Sequence, residues 1–106
     1  MVTLVGLGTE AGDLTERGRS ALLSAGKIIL RSGKGSAAAT LDALGVRYET
    51  LDGAFPRTRS FETWYKKAAA YIWNAGKAEE VVYCCAGAVG EDRCAQYLAA
   101  RRGVRV

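Results

Sequence analysis

The sequence contains no histidine, a single proline and only three cysteines among its 106 residues. The cysteines are Cys84, Cys85 and Cys94, and no Cys-x-x-Cys pair occurs. Without histidine, neither a Cys–His nor a Ser–His catalytic pair can form, and the usual zinc-ligand sets are missing. We therefore expect buried, reduced thiols, no metal site and no candidate catalytic side chain.

Long apolar runs and dense blocks of charge are also missing. No run approaches the roughly 20 residues that a membrane-spanning helix requires, and no signal-peptide pattern opens the chain. We therefore expect a cytoplasmic protein that does not bind membranes. The net charge of +4 is spread over short basic groups, and no aromatic residues alternate with them on a predicted strand. This arrangement favours solvated helix faces over nucleic-acid binding.

Strand and helix patterns alternate along the chain, which predicts one α/β domain at 1–106. We expect a three-layer fold with about five mostly parallel strands and helices on both faces. Predicted strands cover 2–7, 27–30, 46–51 and 80–85, and a fifth begins at 104. Predicted helices cover 15 to about 25, 36–44, 60 to about 74, and 91–102. Because the sequence stops inside the fifth strand, we expect a piece of a longer protein or a boundary between domains.

Several single residues mark the predicted helices. Thr15 is the expected N-cap of the first helix, and Gly26 and Gly45 are the expected C-caps of the first two. The apolar residues of the third helix follow the i, i+3/i+4, i+7 spacing of a buried face. They are Phe61, Trp64, Tyr65, Ala68 and Ile72.

Two glycine-containing turns follow the first and fourth predicted strands. The first spans Gly6 to Gly12 and the second spans Ala86 to Gly90. Glycine lets the backbone approach a ligand closely, and α/β proteins bind ligands at the carboxyl ends of their strands. These turns are therefore the candidate ligand-binding segments.

Two interpretations of these turns follow from the residues alone. Gly6-x-Gly8-x-x-Ala11 fits the dinucleotide fingerprint, and Arg31-Ser32 is similar to a site for the 2′-phosphate of NADP. The spacing argues against this reading, because a dinucleotide fold starts its helix inside the fingerprint and Thr15 lies several residues later. Alternatively, the turns only close tight strand–helix connections, and nearby residues such as Glu10, Glu91 and Asp92 stabilise helix starts.

An ordered set of segments resembles a known family. Val2 to Gly8 followed by Asp13-Leu14-Thr15 looks like the strand-one motif of the tetrapyrrole (corrin/porphyrin) methylases. Ile28 to Ser32 is similar to that family's second strand, Ser60 to Tyr65 to its third-helix start, and Val81 to Gly87 to its fourth strand and turn. The resemblance covers the whole chain. It points to the N-terminal domain, in the version associated with MazG-type nucleoside triphosphate pyrophosphohydrolases.

This resemblance implies a cleft between two α/β domains that holds S-adenosylmethionine. It assigns Ala86, Gly87, Ala88 and Val89 to the cofactor. It assigns the turn of the first strand to the cleft that faces the tetrapyrrole. The residues of that turn are Gly6, Gly8, Thr9, Glu10 and Gly12.

The chain departs from the family in both turns. Thr9-Glu10 stands where the family has Pro-Gly, and Ala88-Val89 replaces part of a P-G-x-P turn. Losing the prolines removes the fixed φ that preorganises a binding loop. Glu10 also places a carboxylate where an acidic tetrapyrrole would dock. Arg31, Arg57 and Arg59 could meet acidic substrate groups, although solvated surface is the favoured reading for each.

Two functions fit these observations. In the first, the chain is half of an S-adenosylmethionine-dependent methyltransferase that is inactive without its C-terminal α/β domain. In the second, it is a non-catalytic module for oligomerisation, or for regulating an attached MazG-type domain. If the domain packs against a partner half, we expect the isolated chain to expose apolar surface on one side, which self-association would cover.

Overall fold

The computed structural model describes residues 1–7, 15–33, 36–52, 61–85, 92–101 and 104–105. Within these ranges, the strands are β1 (Val2–Gly6), β2 (Lys27–Leu30), β3 (Glu49–Thr50), β4 (Val81–Cys85) and β5 (Val104–Arg105). The helices of the same ranges are α1 (Glu16–Ser24), α2 (Ser36–Leu44), α3 (Phe61–Ala75) and α4 (Arg93–Ala99).

All five of these strands lie parallel in one sheet, in the order β3-β2-β4-β1-β5. The connections from β1 to β2 and from β2 to β3 run toward one edge, and those from β3 to β4 and from β4 to β5 run toward the other. Because such crossovers are right-handed, this reversal places α1 and α2 on one face and α3 and α4 on the opposite face. The predicted α/β class, with parallel strands and helices on both faces, is confirmed.

The hydrophobic core divides into two clusters, one on each side of the sheet. Leu22 of α1 and Leu41 of α2 pack with Val5 and Ile28 in one cluster. Ile72 of α3 and Leu98 of α4 belong to the other, which also contains Val2, Leu4 and Tyr83. Every residue of β4 is buried, because β4 lies at the centre of the sheet and its side chains alternate between the two clusters.

The apolar face predicted for the third helix faces the core. Ala68 and Ile72 are fully buried, and Trp64 and Tyr65 pack against the same cluster while remaining half-buried. The side chain of Phe61 lies outside the described residues. These aromatic residues therefore contribute to the core, as the spacing predicts.

Helix ends agree with the prediction at two positions and differ at a third. Thr15 caps α1 by accepting a hydrogen bond from the backbone N–H of Gly18 at 3.0 Å, and Gly45 follows α2 with φ +72°. Gly26 is wrong as a C-cap, because Ala25 caps α1 with extended backbone at φ −70° and ψ 143°. A Cβ on Gly26 would lie 3.3 Å from the carbonyl oxygen of Glu80, so glycine is favoured there by the close approach of the chain.

Two predicted elements, the third strand and the fourth helix, extend more than one residue beyond the observed ends. The third strand is limited to Glu49–Thr50 at the edge of the sheet, where it pairs with β2 alone. The fourth helix starts at Arg93 because Asp92 is its N-cap, and it ends at Ala99.

Candidate ligand site at the carboxyl ends of β1 and β4

The carboxyl ends of β1 and β4 lie side by side at the point where the connections reverse direction. Gly6 and Cys85 are partners in the register, and the N–H of Leu7 donates to the carbonyl oxygen of Cys85 at 2.9 Å. From these ends the chain leads into α1 on one face and α4 on the other. Open α/β sheets bind their ligands outside the carboxyl ends of the strands at such a switch point.

Of the residues assigned by resemblance to the cleft and the cofactor, Gly6 is described. It ends β1 at the switch point. Gly8, Thr9, Glu10 and Gly12 lie outside the described residues, as do Ala86, Gly87, Ala88 and Val89. The strands that precede these residues, β1 and β4, are adjacent and in register and end at the same edge of the sheet.

The strand order argues against the dinucleotide reading. A dinucleotide fold places its second strand directly beside the first, in the order 3-2-1-4-5-6. Here β4 lies between β1 and β2. Arg31, which follows β2, is therefore separated from β1 by a whole strand.

A buried carboxylate lies at the same edge of the sheet. Asp92 is only 5% exposed, and its Oδ1 accepts a hydrogen bond from the backbone N–H of Ala95 at 3.0 Å. The hydroxyl of Tyr83 lies 3.3 Å from each carboxylate oxygen of Asp92 and donates to the pair. Asp92 thus joins the start of α4 to the buried side of β4, which goes beyond the helix-start role that the sequence predicts.

Arg31 supplies the positive charge that faces this carboxylate. It follows β2, the neighbour of β4, and its Nη1 lies 3.7 Å from Oδ2 of Asp92. The Arg31 side chain remains 41% exposed. Arg31 is thus partly solvated, as predicted, and also faces a buried carboxylate, while Arg57 and Arg59 lie outside the described residues.

Sequence reasoning did not connect Tyr83, Asp92 and Arg31. A tyrosine inside an otherwise apolar central strand is the one signal that could have indicated a buried polar partner, because a buried hydroxyl needs one. The contact between Arg31 and Asp92 depends in addition on the order of the strands. β2 must lie beside β4 before Arg31 can reach Asp92.

The three thiols are buried and free, as the sequence predicts. Burial raises the pKa of Cys84 to about 12, and burial together with the nearby Asp92 carboxylate raises the pKa of Cys94 to about 12. The pKa of Cys85 is raised for the same two reasons. Since the thiolate is the nucleophile, these thiols are inert near neutral pH.

We expect the folded state to lose stability as the pH rises above about 9. The unfolded chain releases its thiol protons near the ordinary pKa of 9.0, whereas the folded chain retains them, so the unfolded state binds fewer protons. Each retained proton costs about 1.4 kcal/mol of stability per pH unit above that value. Urea unfolding at pH 8, 9 and 10 measures the decline, and Cys84→Ala should make it shallower. A free energy of unfolding that stays constant from pH 8 to 10 would contradict the thiol assignment.

A groove of about 610 Å³ lies on the α1 face of the sheet, beside β1 and β5. Its floor includes Thr3 and Val5, and small residues of α1, Gly18 and Ala21, form one wall. The groove extends from Glu80 at the amino end of β4 to Gly6 and Thr15 at the carboxyl edge.

Neither a metal-ligand cluster nor a membrane-spanning helix occurs among the described residues. They contain no group of three or more histidine, cysteine, aspartate or glutamate residues placed to hold a metal ion. No helix in the described part of the chain is both long and apolar enough to cross a membrane.

Comparison with known proteins gave a likeness in structure at low sequence identity. No protein-family model and no curated protein matches the sequence. The fold is similar to the crystal structure of diphthine synthase, with a TM-score of 0.68 and 19% sequence identity. The similarity covers 98% of this chain and 42% of diphthine synthase, so the chain spans less than half of that protein. At this identity the likeness shows the fold alone.

Proposed function

We propose that this chain is the N-terminal domain of an S-adenosylmethionine-dependent methyltransferase of the tetrapyrrole methylase type. The observation that carries the proposal is the position of β1 and β4. These strands are neighbours at the switch point, and each leads into one of the two glycine-containing turns. The whole-chain resemblance to tetrapyrrole methylases and the fold similarity to diphthine synthase both support it.

The residues at the carboxyl edge are compatible with S-adenosylmethionine. Leu7 and Cys85 are fully buried on opposite faces of the sheet beside Gly6, so the backbone at this edge is held by packed apolar side chains. Asp92 and Arg31 add one negative and one positive charge, which match a cofactor that carries charges of both signs. When bound, the cofactor supplies an activated methyl group on a sulfonium.

The role left to this chain is to bind and orient. Methyl transfer requires the acceptor, the methyl group and the leaving sulfur to be aligned, and it does not require a histidine base. A single domain encloses only one side of a cleft, whereas binding pockets usually bury most of their ligand. The domain therefore holds the cofactor weakly by itself and requires a second α/β domain for turnover.

Binding and turnover can be measured on the same protein. Isothermal titration with S-adenosylhomocysteine is expected to show weak, saturable binding, and incubation with methyl-labelled S-adenosylmethionine and a porphyrin is expected to show no methylation. Absence of binding at millimolar ligand would contradict the cofactor proposal. Methylation of a tetrapyrrole by this chain alone would contradict the requirement for a second domain.

The groove beside β1 and β5 favours a second candidate function. In this alternative the domain is a non-catalytic module that packs against another copy of itself or against a MazG-type domain. The replaced prolines in both turns support it, because a module of this kind has no need of preorganised binding loops. Failure to bind S-adenosylhomocysteine in the titration above would favour the module over the enzyme.

A further inference from the structure

We propose that Arg31 binds a carboxylate group of the ligand at the carboxyl edge and that Asp92 holds Arg31 in position for this contact. The inference rests on the proposed function and adds a recognition residue to it. The resemblance gives Arg31 no role at the cofactor, and the sequence alone favours solvated surface for it over contact with acidic substrate groups.

The position of Arg31 follows from the sheet. Leu30 pairs with Cys84, so Arg31 leaves β2 level with the end of β4. Its guanidinium reaches Asp92, the N-cap of α4, and so lies on the α4 side of the edge. A ligand bound outside the carboxyl ends of β1 and β4 would lie close to this guanidinium.

The partner of Arg31 is fixed before any ligand arrives. Asp92 is buried and is held by hydrogen bonds from the hydroxyl of Tyr83 and the backbone N–H of Ala95. Its carboxylate therefore cannot swing out to follow a mobile arginine. It provides a fixed negative charge that restricts where the guanidinium can lie.

Arg31 itself retains the capacity to bind an anion. A guanidinium has five N–H donors in one plane, suited to a carboxylate through two parallel hydrogen bonds. Nη1 of Arg31 lies 3.7 Å from Oδ2 of Asp92, which is longer than a hydrogen bond. Among the described residues, Arg31 forms this ion pair and no other. The Arg31 side chain is 41% exposed at the carboxyl edge of the sheet, so part of it is open to a ligand.

The carboxylate has two possible sources, the amino-acid end of the cofactor and an acid side chain of the acceptor. Three probes distinguish them: S-adenosylhomocysteine, 5′-methylthioadenosine, which lacks the amino-acid end, and an octacarboxylic porphyrin. Each is titrated into the wild-type chain, Arg31→Gln and Arg31→Lys. Arg47→Gln is the matched control. Arg47 is exposed and precedes β3, so it lies at the amino ends of the strands and not at their carboxyl ends.

If the cofactor supplies the carboxylate, Arg31→Gln should weaken S-adenosylhomocysteine binding by about tenfold or more and leave 5′-methylthioadenosine unaffected. If the acceptor supplies it, the same loss should appear for the porphyrin alone. Arg31→Lys should recover only part of the affinity, because lysine keeps the charge and loses the paired geometry. Arg47→Gln should bind all three probes as the wild type does.

Unchanged binding of both carboxylate probes to Arg31→Gln would overturn this inference and leave the proposed function in place. An equal loss in Arg47→Gln would also overturn it, because the effect would then reflect net charge. If the wild-type chain binds none of the probes, the proposed function fails, and the role of Arg31 fails with it.

Discussion

Replacing Asp92 by alanine is expected to destabilise the domain by about 3 kcal/mol. Loss of an N-cap side chain costs about 1 kcal/mol, and leaving a buried hydroxyl without its acceptor costs about 1–3 kcal/mol. Both losses occur here, because Asp92 caps α4 and accepts from the buried Tyr83. For a domain of this size the melting temperature should fall by about 10–20 °C, which thermal unfolding followed by circular dichroism measures.

Two variants make this result specific. Asp42→Ala removes an exposed carboxylate that accepts from the hydroxyl of Tyr48 at 3.0 Å, and we expect a change within about 0.5 kcal/mol. Asp92→Asn keeps a good capping group and loses the charge opposite Arg31, so its effect should be intermediate. Equal effects of Asp92→Ala and Asp42→Ala would contradict the buried network.

Replacing Leu22 by alanine should destabilise the fold by about 3 kcal/mol, whereas the same change at the next residue should have little effect. Leu22 is 2% exposed in the α1 and α2 cluster, and Leu23 is 60% exposed on the outer side of α1. Removing a buried leucine side chain costs about 2–5 kcal/mol, because apolar contacts are lost and a cavity remains. Urea unfolding of the two variants measures the difference.

The Leu22 and Leu23 pair tests the orientation of α1, which also forms one wall of the groove. If Leu23→Ala were the more damaging change, α1 would be rotated on its axis. Gly18 and Ala21 would then no longer border the groove beside β1. Since the two variants change the same atoms on adjacent residues, differences in helix propensity cancel.

Most of the fold can be predicted from the sequence because periodicity and local caps act over short distances. Thr15 and Gly45 mark helix ends through their own backbone and side-chain chemistry, and the apolar run of β4 indicates a central strand. Gly26 could not be interpreted in this way. Its requirement comes from Glu80, which is distant in sequence and adjacent only in the folded sheet.

The candidate site could be predicted in part, because some of its signals also act over short distances in the sequence. The position of Gly6 at the end of β1 could be predicted because a glycine where an apolar run meets a turn is a local signal. The pairing of Arg31 with Asp92 depends on β2 lying beside β4, and no local pattern specifies strand order. Turn residues suggest where a ligand binds, whereas the residues that recognise its charges become visible only once the strands are arranged.

Backbone NMR during titration with S-adenosylhomocysteine tests the central claim most directly. We predict that the largest changes in amide chemical shift occur at Gly6, Leu7 and Cys85, where β1 and β4 end together. Amides at the amino ends of the same strands, Val2 and Val81, are the internal control and should remain unchanged. Shifts centred on the amino ends, or on the α3–α4 surface, would contradict a ligand site at the switch point.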